Sequence, residues 1–231
     1  VPKDMQGIVS GRVHNALYYC PMLNLNKLIK PEFAIFRVVE VGKERIRREY
    51  SLSLFNGYGT ENNLFSPGRP YWLDEQWKYL ARILMIQREN AGNFTQQNSI
   101  PMLKTAADSI FVNYWPAENK SVYTIFSLVP QGFNKPLFEV QPKQDFHFVD
   151  LWNHEPVQLD TIENKIFAVA DIESFSEKYL GTNNESAVGA IAEFPELLKV
   201  EFNLPNDELT FSATKGDSIK IYAGMPGYAG K

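Results

Sequence analysis

The chain has 231 residues, 44% of them hydrophobic and 22% charged, with a net charge of −4. These values fit one large folded domain or two to three small ones and exclude a wholly disordered polymer. The acidic balance excludes capture of nucleic acid by a bulk positive field, and the absence of an apolar run of about eighteen residues excludes a helical membrane span.

Residues 1–21 carry little periodicity and read as loop, with one short strand around Ala16–Tyr19. The start, Val1-Pro2-Lys3, lacks Met and a signal-type apolar core, so a processed, truncated or excised piece of something longer is expected. Asn24 to Lys30 reads as a short helix closed by Pro31. Phe33 to Val41 is rich in Val, Ile and Phe and reads as a strand ended by Gly42. Lys43–Tyr50 is polar, a helix or turn whose basic residues form a solvated face. Ser51–Phe55 alternates and reads as a second strand. It runs into Asn56-Gly57-Tyr58-Gly59-Thr60-Glu61-Asn62, a polar turn with the composition of a loop that touches a small polar ligand.

A long helix is expected over 72–94. Leu73, Trp77, Leu80, Ala81, Leu84 and Met85 recur at three and four residues, Asp74 caps the first turn, and Gly92 ends it. Trp77 and Met85 read as core. After Thr105 the pattern changes to short apolar runs separated by turn residues: 109–115, 121–129, 136–140, 146–152, 165–170 and 188–192. That is the pattern of an antiparallel sandwich. Three more strands are expected over 197–204, 208–213 and 218–223. Three strands cannot bury two faces alone, so they are expected to pack on the sandwich or to open another domain.

The order of elements resembles the C-terminal part of glycoside-hydrolase-like proteins, in which a (β/α)8 barrel is followed by a β-sandwich. The residues that carry the resemblance are Phe55-Asn-Gly57, Glu61-Asn62, Tyr79-Leu-Ala-Arg-Ile-Leu84, Phe111-Val-Asn-Tyr-Trp115, Val122-Tyr-Thr-Ile-Phe126 and Val149-Asp-Leu-Trp-Asn153. It spans roughly residues 33–192. It implies an α+β, multi-domain chain: the C-terminal fragment of a (β/α)8-like barrel over 1–105 and an antiparallel β-sandwich over 106–193, to which the strand pattern adds a three-strand extension over 194–231 packing on the sandwich. A complete barrel takes about 250 residues, so the rest of it would belong to a larger polypeptide or another chain.

Glycoside hydrolysis needs two carboxyl groups flanking the bond, and a barrel presents them at the C-terminal ends of its strands. Glu40, at the end of one strand, and Glu61, beyond Phe55-Asn-Gly57, are the catalytic candidates. Asn56 and Asn62 are candidates for binding sugar hydroxyls, and Tyr58 for stacking on a ring. Carbohydrate is the expected partner, and an extracellular or cell-surface location the expected setting. The same residues also allow plainer readings: a strand end at Glu40, a solvated loop at Glu61, an ordinary Asn-Gly turn at 56, and a buried corner at Asp150-Leu-Trp-Asn153.

Cys20 is the single cysteine, which excludes an intrachain disulfide and a cysteine zinc site. His14, His147 and His154 lack ligand spacing, and no phosphate loop or nucleophile elbow occurs, so no metal or cofactor is expected. Sequons stand at Asn93, Asn119 and Asn184. Two other functions stay open: a non-catalytic carbohydrate-binding or accessory β-sandwich module, and a structural β-rich domain of a surface assembly.

Overall fold

Arg47-Arg-Glu-Tyr-Ser-Leu-Ser-Leu-Phe-Asn56 forms a helix, α1, and the strand expected over Ser51–Phe55 is corrected accordingly. Ser-Leu-Ser-Leu alternates like a strand, but every residue from Arg48 to Asn56 is buried, so no solvent-facing side imposes a period. The two serines fit a buried helix by turning back on it. Ser51 Oγ donates to the Arg47 carbonyl at 2.9 Å and Ser53 Oγ to that of Glu49 at 3.3 Å. The Asn56-Gly57 turn ends this helix. Gly57 takes φ +62, its N–H donates to Leu54 and the Tyr58 N–H donates to Ser53, which is the Schellman pattern.

In the computed structural model, residues 9–13, 29–40, 47–63, 73–175, 186–214, 216, 218, 219 and 221 are described. The fold is α+β, with mostly antiparallel sheet and few helices. Three short strands, β1 (Ser10–Val13), β2 (Ala34–Glu40) and β3 (Gly59–Asn63), form a parallel sheet in the order β1-β2-β3. Gly59–Asn63 was expected as a loop. It becomes a strand because its backbone pairs with β2 from Phe36–Gly59 to Glu40–Asn63, which overrides its polar composition.

Helix α2 (Leu73–Glu89) is followed by a helical turn, Ala91–Phe94, and the pair matches the expected stretch 72–94 apart from Trp72, which lies outside the described residues. The break falls at Asn90 rather than at Gly92. There the Ile86 carbonyl accepts both from the Asn90 side chain at 2.7 Å and from the Asn90 N–H at 3.2 Å.

The antiparallel part has two sheets. One contains β4 (Ile110–Trp115), β5 (Ser121–Ser127), β7 (Phe146–Asp150), β8 (Glu155–Pro156) and β11 (Ala187–Pro195) in the order β4-β5-β11-β7-β8. The other contains β6 (Phe133–Val140), β9 (Leu159–Ile162) and β10 (Lys165–Ile172) in the order β6-β10-β9. Between them lies a core that includes Tyr123, Ile125, Phe138, Phe148, Ala168 and Ile191. The opposite face of the five-stranded sheet is covered by α1 and α2, where Tyr50, Leu54, Ile83, Trp115, Trp152 and Ala190 share one apolar cluster. All seven residues of β5 are buried as a result, the pattern of a strand covered on both faces.

The tail gives β12 (Leu198–Asn203) and β13 (Glu208–Ala213), an antiparallel pair joined through Leu204–Asn206 and Asp207, which has φ +51. A third strand was expected over 218–223. Ser218, Ile219 and Ile221 belong to no strand, and the other residues of that stretch lie outside the described residues. The strand expected at Ala16–Tyr19 also lies outside them, as does the helix Asn24–Lys30 except for its last two residues.

Candidate functional site

Register divides the parallel sheet into two faces. Paired residues on neighbouring parallel strands point the same way, and the direction alternates along each strand. Arg12 pairs with Phe36 and Phe36 with Gly59, so Arg12, Phe36 and Glu61 share one face with Val38. Ile35, Arg37, Val39, Thr60 and Asn62 share the other, against which α1 packs. There Tyr50 on α1 donates its hydroxyl to Asn62 Oδ1 at 2.8 Å.

The five sequence-derived candidates fall on different sides of this division. Glu61 lies on the face away from α1, and the backbones of Glu40 and Glu61 stand on neighbouring strands, Glu40 in register with Asn63 and Glu61 with Val38. With strands about 4.8 Å apart and a rise of about 6.6 Å over two residues, their Cα atoms lie roughly 8 Å from each other. Glu61 is not in a loop, as expected, but within β3, where Arg12 meets it in a two-pronged ion pair through both carboxylate oxygens. The Arg12 side chain is 62% exposed and that of Glu61 31%.

Asn56, Tyr58 and Asn62 are not brought to that face. Asn56 is 3% exposed at the end of α1, and the Asn62 side chain is taken by Tyr50. Tyr58, 5% exposed, packs with Phe33 and Ile35, so most of its ring serves the core. Burial pushes the Tyr58 hydroxyl up to about 12, with the Arg37 charge pulling the other way. Arg37 is itself 1% exposed. Desolvation lowers its pKa, while Glu49 and Tyr58 act to raise it. These groups form a charged seam between β2 and α1.

Arg12 is the residue that sequence reasoning missed. Its strand is four residues long and holds one apolar side chain, too little for a periodic signal. Its partner Glu61 is separated from it by 49 positions, and no local pattern links the two.

A cleft of about 320 Å³ opens at the opposite, amino-terminal end of the sheet. Phe36, Tyr58, Leu84, Arg88 and Phe94 are among its lining residues. The Gln87 amide there donates to the Ser53 and Tyr58 carbonyls at 3.1 and 2.8 Å, which ties α2 to the end of α1. The cleft and the Glu40–Asn63 end of the sheet are therefore separate places.

At the Asp150 corner, Asp150 Oδ1 accepts from the Trp152 and Asn153 N–H groups and Oδ2 from the Asn153 amide. Trp152 is 1% exposed and lies beneath the Arg82 guanidinium, 4.0 Å from the ring centre. The plainer reading, a buried strand-to-turn corner, describes it. Of the sequons, Asn93 is buried and donates to the Trp115 and Lys120 carbonyls at 2.9 and 2.6 Å, which occupies its amide. Asn119 is exposed, and Asn184 lies outside the described residues. Among the described residues no three His, Cys, Asp or Glu side chains gather as metal ligands, and no helix is long and apolar enough to cross a membrane.

No family model matches the chain, and no curated protein matches it. Solved structures similar to it are glycoside hydrolases at low identity. The α-fucosidase of Thermotoga maritima is similar over 80% of this chain and 42% of its own, at 11% identity and a TM-score of 0.41. A noncanonic maltogenic α-amylase of Thermotoga neapolitana is similar over 69% and 41%, at 10% and 0.43. For the α-amylase of Geobacillus thermoleovorans complexed with acarbose the shares are 71% and 39%, at 11% and 0.45. The chain thus spans 42% or less of the length of each of these three proteins.

Proposed function

We propose that the chain is part of a carbohydrate-active enzyme of the glycoside-hydrolase kind, with Glu40 and Glu61 as its acid and base pair. The observation that supports this reading is their register. Two carboxyl-bearing residues stand two register positions apart on adjacent strands of a parallel sheet, Glu40 at the carboxyl end of β2 and Glu61 at the middle of β3. On this reading residues 1–105 are the closing sector of a (β/α)8-like barrel, 106–193 the sandwich behind it and 194–231 an extension. One carboxyl group protonates the leaving oxygen, and the other serves as base or nucleophile. Arg12 holds the Glu61 carboxylate in place, and Asn56, Tyr58 and Asn62 have no contact with the sugar.

The test is hydrolysis of a panel of aryl glycosides and soluble polysaccharides by the full-length polypeptide. Glu40→Gln and Glu61→Gln should each lower kcat by about 10²-fold or more, as expected for loss of an acid or base. Wild-type rates in both variants would reject the assignment.

A second reading, an accessory carbohydrate-binding module, is favoured by the Arg12–Glu61 ion pair itself, since that carboxylate already has a protein cation as its partner. Glycan-array binding by a protein with no hydrolytic activity, unchanged in Glu61→Gln, separates it from the first.

A further inference from the structure

The cleft at the amino-terminal end of the parallel sheet has a floor and a rim of different character. The floor is apolar. Phe36 lies over Gly59, where a Cβ would sit 2.7 Å from its ring, and Phe94 lies against Gly57, where a Cβ would sit 2.9 Å from its ring. Two absent side chains let two rings settle on the backbone where α1 gives way to β3. Leu84 adds to the floor from α2. Phe94 is 5% exposed and belongs to the core, whereas Phe36 is 40% exposed and keeps part of its ring open.

The rim is polar, made by Glu32, Gln87, Arg88 and Thr95. Gln87 Nε2 already donates to the Ser53 and Tyr58 carbonyls, and the Thr95 hydroxyl to those of Ala91 and Gly92 at 3.4 and 3.1 Å. These two side chains therefore offer a ligand their acceptor oxygens. Glu32 adds a carboxylate and Arg88 a guanidinium, both exposed, so the rim presents several acceptors, one charged donor and no net charge.

We propose that this cleft binds a neutral sugar ring, at a place separate from the Glu40–Glu61 pair. A pyranose has an apolar C–H face and an edge of hydroxyl groups that donate and accept. The face fits the open ring of Phe36, and the edge fits the rim. The cleft of about 320 Å³ is at the small end of ligand sites, which suits a single sugar unit. Charge selects against other ligands. An anion meets Glu32 and a cation meets Arg88, each above an apolar floor that cannot solvate it. A wholly apolar ligand leaves the rim oxygens it covers without hydrogen bonds. The proposal rests on the carbohydrate-active reading for the class of ligand, and not on the catalytic pair.

Titration of the isotope-labelled full chain with methyl glucoside, methyl galactoside and methyl mannoside, followed by amide NMR, tests the proposal. Benzoate, phenethylammonium and cyclohexanol serve as anionic, cationic and apolar controls. At least one glycoside should shift the Gly57, Gly59 and Thr95 amides with a Kd on the order of 1 mM, as a ligand of that size allows. Phe36→Ala removes the platform and Ala91→Trp fills the cleft from an exposed wall position, and each should weaken binding by about tenfold or more. Neither residue belongs to a buried cluster, so far-UV circular dichroism should stay unchanged. Glu61→Gln should leave the shifts and the Kd as they are, which separates failure here from failure of the catalytic assignment. Absence of shifts at these amides with every glycoside up to about 50 mM would overturn the proposal. So would tighter binding of any control, an affinity unchanged in either cleft variant, or loss of binding in Glu61→Gln.

Discussion

Asn113 on β4 donates its side-chain amide to the main-chain carbonyl of Phe55, 2.9 Å away in the last turn of α1. The same carbonyl accepts from Thr124 Oγ1 at 2.9 Å, and Thr124 in turn accepts from the Trp115 indole N–H. Carbonyls in the last turn of a helix lack intrahelical partners, and here the antiparallel sheet supplies them. This is the joint between the parallel and antiparallel parts of the fold. Asn113 also accepts the Met102 N–H at 3.0 Å, so Asn113→Ala strands that donor, while the Phe55 carbonyl keeps its bond from Thr124. It should cost about 2–3 kcal/mol in urea unfolding, and Thr124→Val about 1–2 kcal/mol. The double variant should lose more than the sum, because only it removes both side-chain donors from the Phe55 carbonyl.

Gly57 and Gly59 offer a contrast. At Gly57 the backbone has φ +62, and a Cβ would sit 2.9 Å from Cδ1 of Phe94, a ring that is 5% exposed and stacked edge-on against Trp115. At Gly59 a Cβ would sit 2.7 Å from Cδ1 of Phe36, whose side chain is 40% exposed and free to swing outward. Gly57→Ala should therefore cost about 2 kcal/mol or more, from left-handed strain plus the clash, and Gly59→Ala less than about 1 kcal/mol. Equal losses in thermal unfolding would contradict the role given to Phe94.

These positions show which parts of the fold the sequence makes legible. The helix over 72–94 is readable because one side of α2 faces water and imposes a period, but of the expected stripe only Leu73 and Leu80 are buried, with Gln76, Tyr79, Ile83 and Ile86 beside them and Ala81 exposed. The antiparallel strands are readable because turn residues punctuate them. Helix α1 is not, because burial on all sides removes the period and Ser-Leu-Ser-Leu then imitates a strand. Strand β3 is hidden for the opposite reason: Gly-Thr-Glu-Asn-Asn has no strand composition, and only pairing with β2 makes it one. The candidate site divides along the same line. Glu40 and Glu61 are brought two register positions apart on adjacent strands, which no local pattern announces. Asn56, Tyr58 and Asn62 sit in one polar stretch of sequence, and the fold parts them: Asn56 ends α1, Tyr58 precedes β3, and the Asn62 side chain bonds Tyr50 of α1.

Asp150 predicts a pH dependence. Burial raises its carboxyl group above the ordinary value, against hydrogen bonds from Asn153 and Trp152 that favour the charged form, and Asp171 adds to the rise. A carboxyl raised in the folded state binds its proton more tightly there than in the unfolded chain. Its contribution to stability is therefore fully present below the unfolded value, roughly 4, and is lost as pH rises through the folded value. Asp150→Asn has no such titration. The Tm deficit of the variant should be larger near the acid end of this window than at neutral pH. A deficit that grows with pH would reverse the sign of the shift.

The Arg12–Glu61 ion pair separates stability from function. Both side chains reach solvent, Arg12 at 62% exposed, and an exposed pair of this kind contributes about 0–1 kcal/mol. Arg12→Ala should therefore leave Tm nearly unchanged, and added salt should reduce even that small effect. If the proposed function holds, the same variant frees the Glu61 carboxylate from its fixed orientation and lowers kcat, because a misplaced catalytic group loses rate before it loses binding. Arg12→Lys keeps the charge but not the two-pronged geometry, so it should recover little of the rate. A variant that hydrolyses glycosides at the wild-type rate while Glu61→Gln does not would remove Arg12 from the site and leave Glu61 there. Loss of Tm without loss of rate would make the pair a strut between β1 and β3.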